Sequence, residues 1–155
     1  MDTGKMINRI SNRLRRRSAK IQATVGISGA QGMILDYILV ESVNHPIYQK
    51  DVEKEFGLRP STATGVLNEL EQKGMIRREA DPGDGRRKKI VFTRQAQAIN
   101  QKLKSQILES EELLLKGISE EERRIFMDIS ARMLENLDQD IEASKTKEKK
   151  AENGR

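Results

Sequence analysis

The 155-residue chain has no cysteine, no tryptophan, a single histidine, three prolines and 3% aromatic residues. Without cysteine there is no disulfide framework, thiolate nucleophile, thiolate metal site or thiol redox switch. A single histidine argues against a His-rich metal site or a Ser-His-Asp arrangement, and His45, beside Pro46, reads as an exposed turn residue. No run of about 18 uncharged apolar residues is present, so no membrane-spanning helix is expected. Carboxylate pairs in apolar settings and Gly-rich phosphate loops are missing too. Asp81-Pro82-Gly83-Asp84-Gly85 resembles a calcium loop, but it lacks the downstream bidentate Glu, and a turn explains it better. The expectation is a cytoplasmic, non-enzymatic protein with no cofactor, no metal and no membrane partner.

What is present is charge. Charged residues make up 34% of the chain against 35% hydrophobic, and the mean hydropathy is −0.71. So polar a chain is poorly supplied for a monomeric core, which predicts burial against a second subunit. The net charge of +5 conceals segregation: residues 1–30 hold seven Lys/Arg against one acid, 75–95 seven against three, and 109–142 four against eleven. Sorted this way, charge predicts a basic surface that binds a polyanion, with a membrane surface as the competing partner.

Apolar spacing predicts a helix over 4–25 through Met6, Ile7, Ile10, Leu14, Ile21 and Val25, with Arg9, Arg13, Arg16 and Lys20 along an adjacent stripe. Ser28 and Gln31 form a capping-box pattern for a second helix to about Ser42, apolar nearly all round and therefore central. A short helix over 49–56 ends at Gly57, and Pro60 opens another that runs to Lys73. In that helix Ala63, Val66, Leu67 and Leu70 share the core face, while Ser61, Gly65, Asn68 and Gln72 form the opposite stripe beside Thr62 and Thr64. A solvent-facing stripe usually carries Lys and Glu; small polar residues permit close approach of another surface. Two short helices around a Gly-containing turn form a helix-turn-helix pattern.

The β-prone runs 75–79 and 90–93 flank a Pro/Gly/Asp turn and the cations Arg86, Arg87, Lys88 and Lys89, which predicts a basic hairpin, or wing. Residues 95–116 follow as a helix with Ile99, Leu103, Ile107 and Leu114 on one stripe. Ser119 and Glu122 make a second capping box for a last helix bearing Ile125, Phe126, Ile129, Met133, Leu137 and Ile141. Ile7, Ile10, Leu14, Ile99, Leu103, Ile129, Met133 and Leu137 are the expected dimerisation residues.

The ordered set Asp51-Val52-Glu53 to Leu58, Ser61-Thr62-Ala63-Thr64 to Leu67, Leu70 to Ile76, and Asp84-Gly85-Arg86 to Phe92-Thr93 resembles the MarR (multiple antibiotic resistance regulator) family of bacterial winged helix-turn-helix repressors. The resemblance spans 4–142 and implies an obligate homodimer on a pseudopalindromic DNA operator, released by a small phenolic or anionic effector. It also implies that the helix over 60–73 enters the major groove, that Arg86 enters the minor groove, and that Asp84 steadies the Arg86 guanidinium. Arg59, Gly65 and Ala96 depart from the family pattern; the first two bear on which sequence is read.

The expected fold is mainly α with a small β-hairpin wing. A winged helix-turn-helix domain occupies 28–94, dimerisation helices 1–27 and 95–143 form an intersubunit bundle, and 144–155 is a disordered basic tail. Expected DNA contacts are Arg59, Ser61, Thr62, Thr64, Gly65, Asn68, Asp84, Arg86, Arg87 and Lys88, with cations supplying affinity and the polar stripe reading base edges. The alternative is a membrane-surface or protein-interaction module built on the Arg-rich first helix, which lacks the Trp and Phe such a role favours.

Overall fold

Asp2 accepts a hydrogen bond from the Lys5 N–H at 2.8 Å and opens helix α1, Thr3–Thr24. A computed structural model describes residues 2–27 and 29–154. Helix α2, Gly29–Glu41, follows; the predicted Ser28 cap lies outside the described residues. Gln31 bonds elsewhere, donating to Glu69 Oε2 at 2.6 Å and accepting from Lys73 Nζ at 2.7 Å. The chain then runs through β1 (Ile47–Tyr48), α3 (Gln49–Phe56), α4 (Pro60–Gln72), β2 (Ile76–Ala80), β3 (Lys88–Phe92), α5 (Gln97–Leu114) and α6 (Glu120–Asn153). This is the mainly helical winged fold expected from the sequence.

The turn between α3 and α4 is set by Gly57, whose φ of +61° lies in the left-handed region that a side chain would penalise. Past it, Pro60 supplies the preset φ of a first helical residue. The three strands lie in the order β1-β3-β2, all antiparallel, with Ile76 opposite Phe92 and Ala80 opposite Lys88 in the hairpin. Strand β1 pairs Ile47 with Ile90 and Tyr48 with Lys89. Sequence periodicity misses β1, because two residues beside a proline carry no period to detect.

The core gathers around α2. Ile34, Leu35 and Ile38 from α2, Ile47 from β1, Val52 from α3, Leu67 and Leu70 from α4, Ile76 from β2 and Leu103 from α5 are each at most 2% exposed. Burying one such side chain contributes about 1.5–3 kcal/mol. Leu103 therefore belongs to the chain's own core, correcting its assignment to the dimer stripe, and Ile99 packs against the same cluster. The stripe continues from both in the sequence, but its N-terminal half faces inwards.

The chain divides into two compact units, one ending at Glu111 and the other starting at Glu112. In the second unit Ser119 Oγ accepts from the Glu122 N–H at 3.1 Å while Glu122 Oε2 accepts from the Ser119 N–H at 2.8 Å, the expected capping box. The helix it opens runs through Asn153, so residues 144–153 are helical where the sequence predicts a disordered tail. No Pro or Gly interrupts 143–153, and Lys145 pairs with Glu142 at 3.5 Å one turn earlier. None of the residues of α6 is buried.

Between α1 and α2, Gln22 Nε2 donates to Asp36 Oδ2 at 2.9 Å. A Cβ on Gly32 would lie 2.1 Å from Gln22 Oε1, so the glycine is what lets this amide approach α2. Asp36 Oδ1 has no partner among the described residues. Burial pushes the Asp36 carboxyl up from 3.8 to about 6 against the smaller opposing effect of Gln22. Between those values the folded chain binds the extra proton, so this group's stabilisation is complete below pH 4 and lost as pH rises through 6. Solvent reaches part of the side chain, so the loss is expected to be about 1–2 kcal/mol. Urea unfolding between pH 4 and 7 should show this decline in the parent, and Asp36→Asn should flatten it.

Candidate nucleic-acid interface

Helix α4 buries Ala63, Leu67 and Leu70 at 0% exposure. By helical geometry this turns Ser61, Thr62, Gly65 and Asn68 outwards, and all four are exposed. Nothing lies within 4 Å of where a Gly65 Cβ would stand, so this face is open rather than filled by the chain itself. Arg59 occupies the N-cap position in extended conformation and makes no side-chain cap bond. The first-turn amides of the helix thus keep their donors unfilled by a cap.

Two polar members of the stripe are braced from within. Thr64 is half-buried, and its Oγ1 accepts from Gln49 Nε2 at 2.9 Å; the same amide reaches the Pro60 carbonyl at 3.3 Å. Gln49, the first residue of α3, therefore ties α3 to the start of α4. Asn68 Oδ1 accepts a hydrogen bond from the Arg78 guanidinium. Arg78 Nε also donates to Glu71 Oε1 at 2.8 Å, and this bond holds the Glu71 carboxyl below its ordinary range. Arg78, on β2, thus links the hairpin to the outer face of α4.

At the wing neck the Asp81 N–H donates to the Arg87 carbonyl at 3.0 Å. Asp81 Oδ1 accepts from the Gly83 N–H at 3.0 Å, and Oδ2 accepts from the Tyr48 hydroxyl at 2.8 Å. The Gly83 bond first, then that of Tyr48, keeps the Asp81 carboxyl below its usual value, and the bond to Asp81 raises the Tyr48 phenol. The Arg87 guanidinium sits 3.8 Å from the Tyr48 ring centroid, and its Nε is 4.0 Å from Asp81 Oδ2.

The wing tip departs from the expectation. Asp84 Oδ1 accepts from the backbone N–H of Arg86 at 3.0 Å, an Asx-type turn that shapes the loop. The Arg86 guanidinium has no hydrogen bond or ion pair among the described residues, so Asp84 steadies the loop and not the charged group. Arg87, one of the expected DNA contacts, is the arginine that is held. Arg86, Arg87 and Lys88 line a cleft of about 460 Å³ together with Tyr48, Asp51 and Arg78.

Sequence reasoning missed Tyr48, Gln49, Arg78 and Asp81. These partners lie 7–33 positions away in sequence, and only the packing of α3, α4 and the sheet brings them together. Among the described residues no three His, Asp or Glu side chains cluster to hold a metal ion. No single described helix is long and apolar enough to cross a membrane.

Residues 25–87 match the family model of the MarR family. The uncharacterized HTH-type transcriptional regulator YdgJ of Bacillus subtilis (strain 168) is 32% identical over 127 residues, which span 80% of this chain and 73% of YdgJ. The chain belongs to the MarR family. The crystal structure of the transcription regulator MarR from Oenococcus oeni PSU-1 matches with a TM-score of 0.72 at 28% identity, over 86% of this chain and 99% of that one. S. aureus MepR in its DNA complex matches with a TM-score of 0.68 at 25% identity, over 88% and 99% of the two chains. MarR-type transcription regulation and DNA binding are thus the setting in which the α4 face and the wing are to be understood.

Within this MarR domain, Arg78 is the brace whose loss is easiest to measure. Arg78→Ala removes a largely covered guanidinium (19% exposed) from Glu71 and Asn68. It should cost about 1 kcal/mol in urea unfolding at pH 7, since Glu71 itself stays one-third exposed and can rehydrate. A parent-like midpoint would show that the pair contributes nothing.

Proposed function

We propose that this MarR-family regulator is a homodimeric repressor that holds a pseudopalindromic duplex operator and releases it when a small phenolic or anionic effector binds. The observation that carries the DNA part is the continuity of one exposed surface: the small polar face of α4, its uncapped N-terminus, and the wing cations Arg86 and Lys88, joined through Gln49, Asn68 and Arg78. An uncapped helix start suits a phosphate, Ser61 and Thr62 suit base edges or phosphates, and an unpaired arginine at a loop tip suits a narrow minor groove. MepR, at 25% identity, has been crystallised with DNA.

Support for the dimer comes from apolar surface that a monomer leaves wet. Ile7 and Ile10 on α1 are 50% and 37% exposed, and Phe126 and Leu137 on α6 are 59% and 61% exposed. Leu14 and Met133 are half-buried, and Ile129 is exposed at 38%. Stripes of this length covered by a second copy would offset the chain's low hydropathy. Effector release rests on membership of the family.

The test is titration of the protein against duplexes selected by it from a random pool, at several salt concentrations. Arg86→Ala should weaken binding ten- to hundredfold, about 1–3 kcal/mol, with an unchanged melting temperature. Equal affinity for parent and variant would remove Arg86 from the interface. Light scattering at micromolar concentration should give a dimer for the parent. Met133→Glu combined with Leu137→Glu should shift it to monomer by placing carboxylates in an apolar seam, where each costs several kcal/mol; a monomeric parent would overturn the dimer. Dissociation of the selected complex by a simple phenol or aromatic carboxylate completes the test.

A further inference from the structure

Tyr48 stands where strand β1 passes into α3, and at that junction two separate duties are split between its backbone and its side chain. The backbone N–H is taken by Asp51 Oδ2 at 2.8 Å, so the start of α3 is secured by the residue three positions on. The side chain is thereby free of capping. It reaches across the sheet to the wing neck instead, where its hydroxyl donates to Asp81 Oδ2 at 2.8 Å. The same ring carries the Arg87 guanidinium on its face at 3.8 Å.

These contacts grip the loop at both ends of its neck, since the Asp81 N–H and the Arg87 carbonyl close it at 3.0 Å. Between the gripped residues lies Arg86, whose guanidinium is unpaired among the described residues while its backbone N–H is fixed by Asp84. The wing is otherwise a two-stranded projection whose tip residues, 82–88, are all exposed, and an isolated hairpin of this kind is marginal on its own. We propose that Tyr48 is a positioning residue for DNA binding: with Asp81 and Arg87 it anchors the wing to the first residues of α3, so that Arg86 is presented at a fixed place relative to α4. Arg87 is spent on this anchor and Arg86 is left for the ligand, which gives the two adjacent arginines different work.

The inference rests on the DNA-binding reading above, and the experiment separates the two. Parent, Tyr48→Phe, Tyr48→Ala, Arg86→Ala and the Tyr48→Ala/Arg86→Ala double variant are titrated at one salt concentration against duplexes selected by the parent from a random pool. Tyr48→Phe keeps the ring under Arg87 and loses the Asp81 bond; it should bind roughly three- to tenfold more weakly. Tyr48→Ala loses both contacts and should weaken binding further, with selected sequences losing preference at the outer, wing-facing positions and keeping it at the positions facing α4. In the Arg86→Ala background, Tyr48→Ala should cost almost nothing more, because the cation it positions is gone. A merely structural role predicts the opposite: additive losses, a lowered melting temperature and a blurred preference everywhere. Additive losses or parent-like affinity for both Tyr48 variants overturn the proposal. Should Tyr48→Ala fail to fold, Tyr48→Phe with its double variant carries the same cycle. Absence of any duplex binding by the parent overturns the DNA-binding reading itself, and this inference with it.

Discussion

Everything in the first unit depends on the burial of α2. Its Leu35 and Ile38 are wholly inaccessible and Ile34 is 1% exposed, and the same cluster takes in residues from α3, α4, α5 and all three strands. The sequence predicts a helix covered on nearly every side, but Met33 and Val40 stay 39% and 47% exposed; the remaining elements of the cluster pack on the face that carries Ile34, Leu35, Ile38 and Leu39. That packing fixes which side of α4 points inwards, through Leu67 and Leu70, and therefore which side is left for a ligand. The reading face is a consequence of the core: Ser61, Gly65 and Asn68 are outward because Ala63, Leu67 and Leu70 cannot be.

Much of this was legible in the sequence because it is periodic. The span of α3 over 49–56, the start of α4 at Pro60, the hairpin and the Ser119 capping box all follow from spacing and turn chemistry. Cross-chain bonding was not legible. Tyr48 and Asp81 are 33 positions apart, and Gln49 and Thr64 are 15 apart; neither pair leaves a local pattern. The same blindness explains Leu103. Periodicity identifies an apolar stripe on α5 but cannot say whether the chain's own core or a second subunit covers it. The disordered tail failed for a different reason: lack of apolar residues predicts that a segment has nothing to pack against, which is a statement about burial and not about helix formation.

Charge in the wing is organised by neutralisation as much as by accumulation. Of the basic residues between 75 and 95, Arg78 is tied to Glu71 and Asn68, and Arg87 to Tyr48 and Asp81. Each is an architectural cation whose field is partly spent on a neighbour. Arg86 and Lys88 keep theirs at the exposed end of the hairpin. A count of cations alone suggests an indiscriminate basic patch, whereas pairing among the described residues takes up Arg77 (with Glu79), Arg78 and Arg87 and leaves Arg86 unpaired at the tip. For a polyanion this matters, because diffuse charge gives salt-sensitive affinity at any register, while one cation at a fixed position favours a particular groove.

Fixing a position is useful only if it is fixed relative to something else that reads. In the first unit that frame is short: Gln49 joins the start of α3 to Thr64 and Pro60 of α4, and its neighbour Tyr48 joins the same point to the wing neck. Two consecutive residues thus connect both candidate contact elements to one helix terminus. The arrangement also accounts for the role of β1, a strand of only two residues. Its pairing with β3 adds little stability by itself, but it holds the backbone of Tyr48 opposite Lys89, two residues from the anchor's Arg87. The base of the hairpin is held by Ile76 and Ile90 in the core, whereas its far end is tied to the rest of the domain through Arg78 and, by way of this register, through the Tyr48 hydroxyl on Asp81. The smallest element of the sheet is therefore the one that turns a basic hairpin into a wing with a defined place.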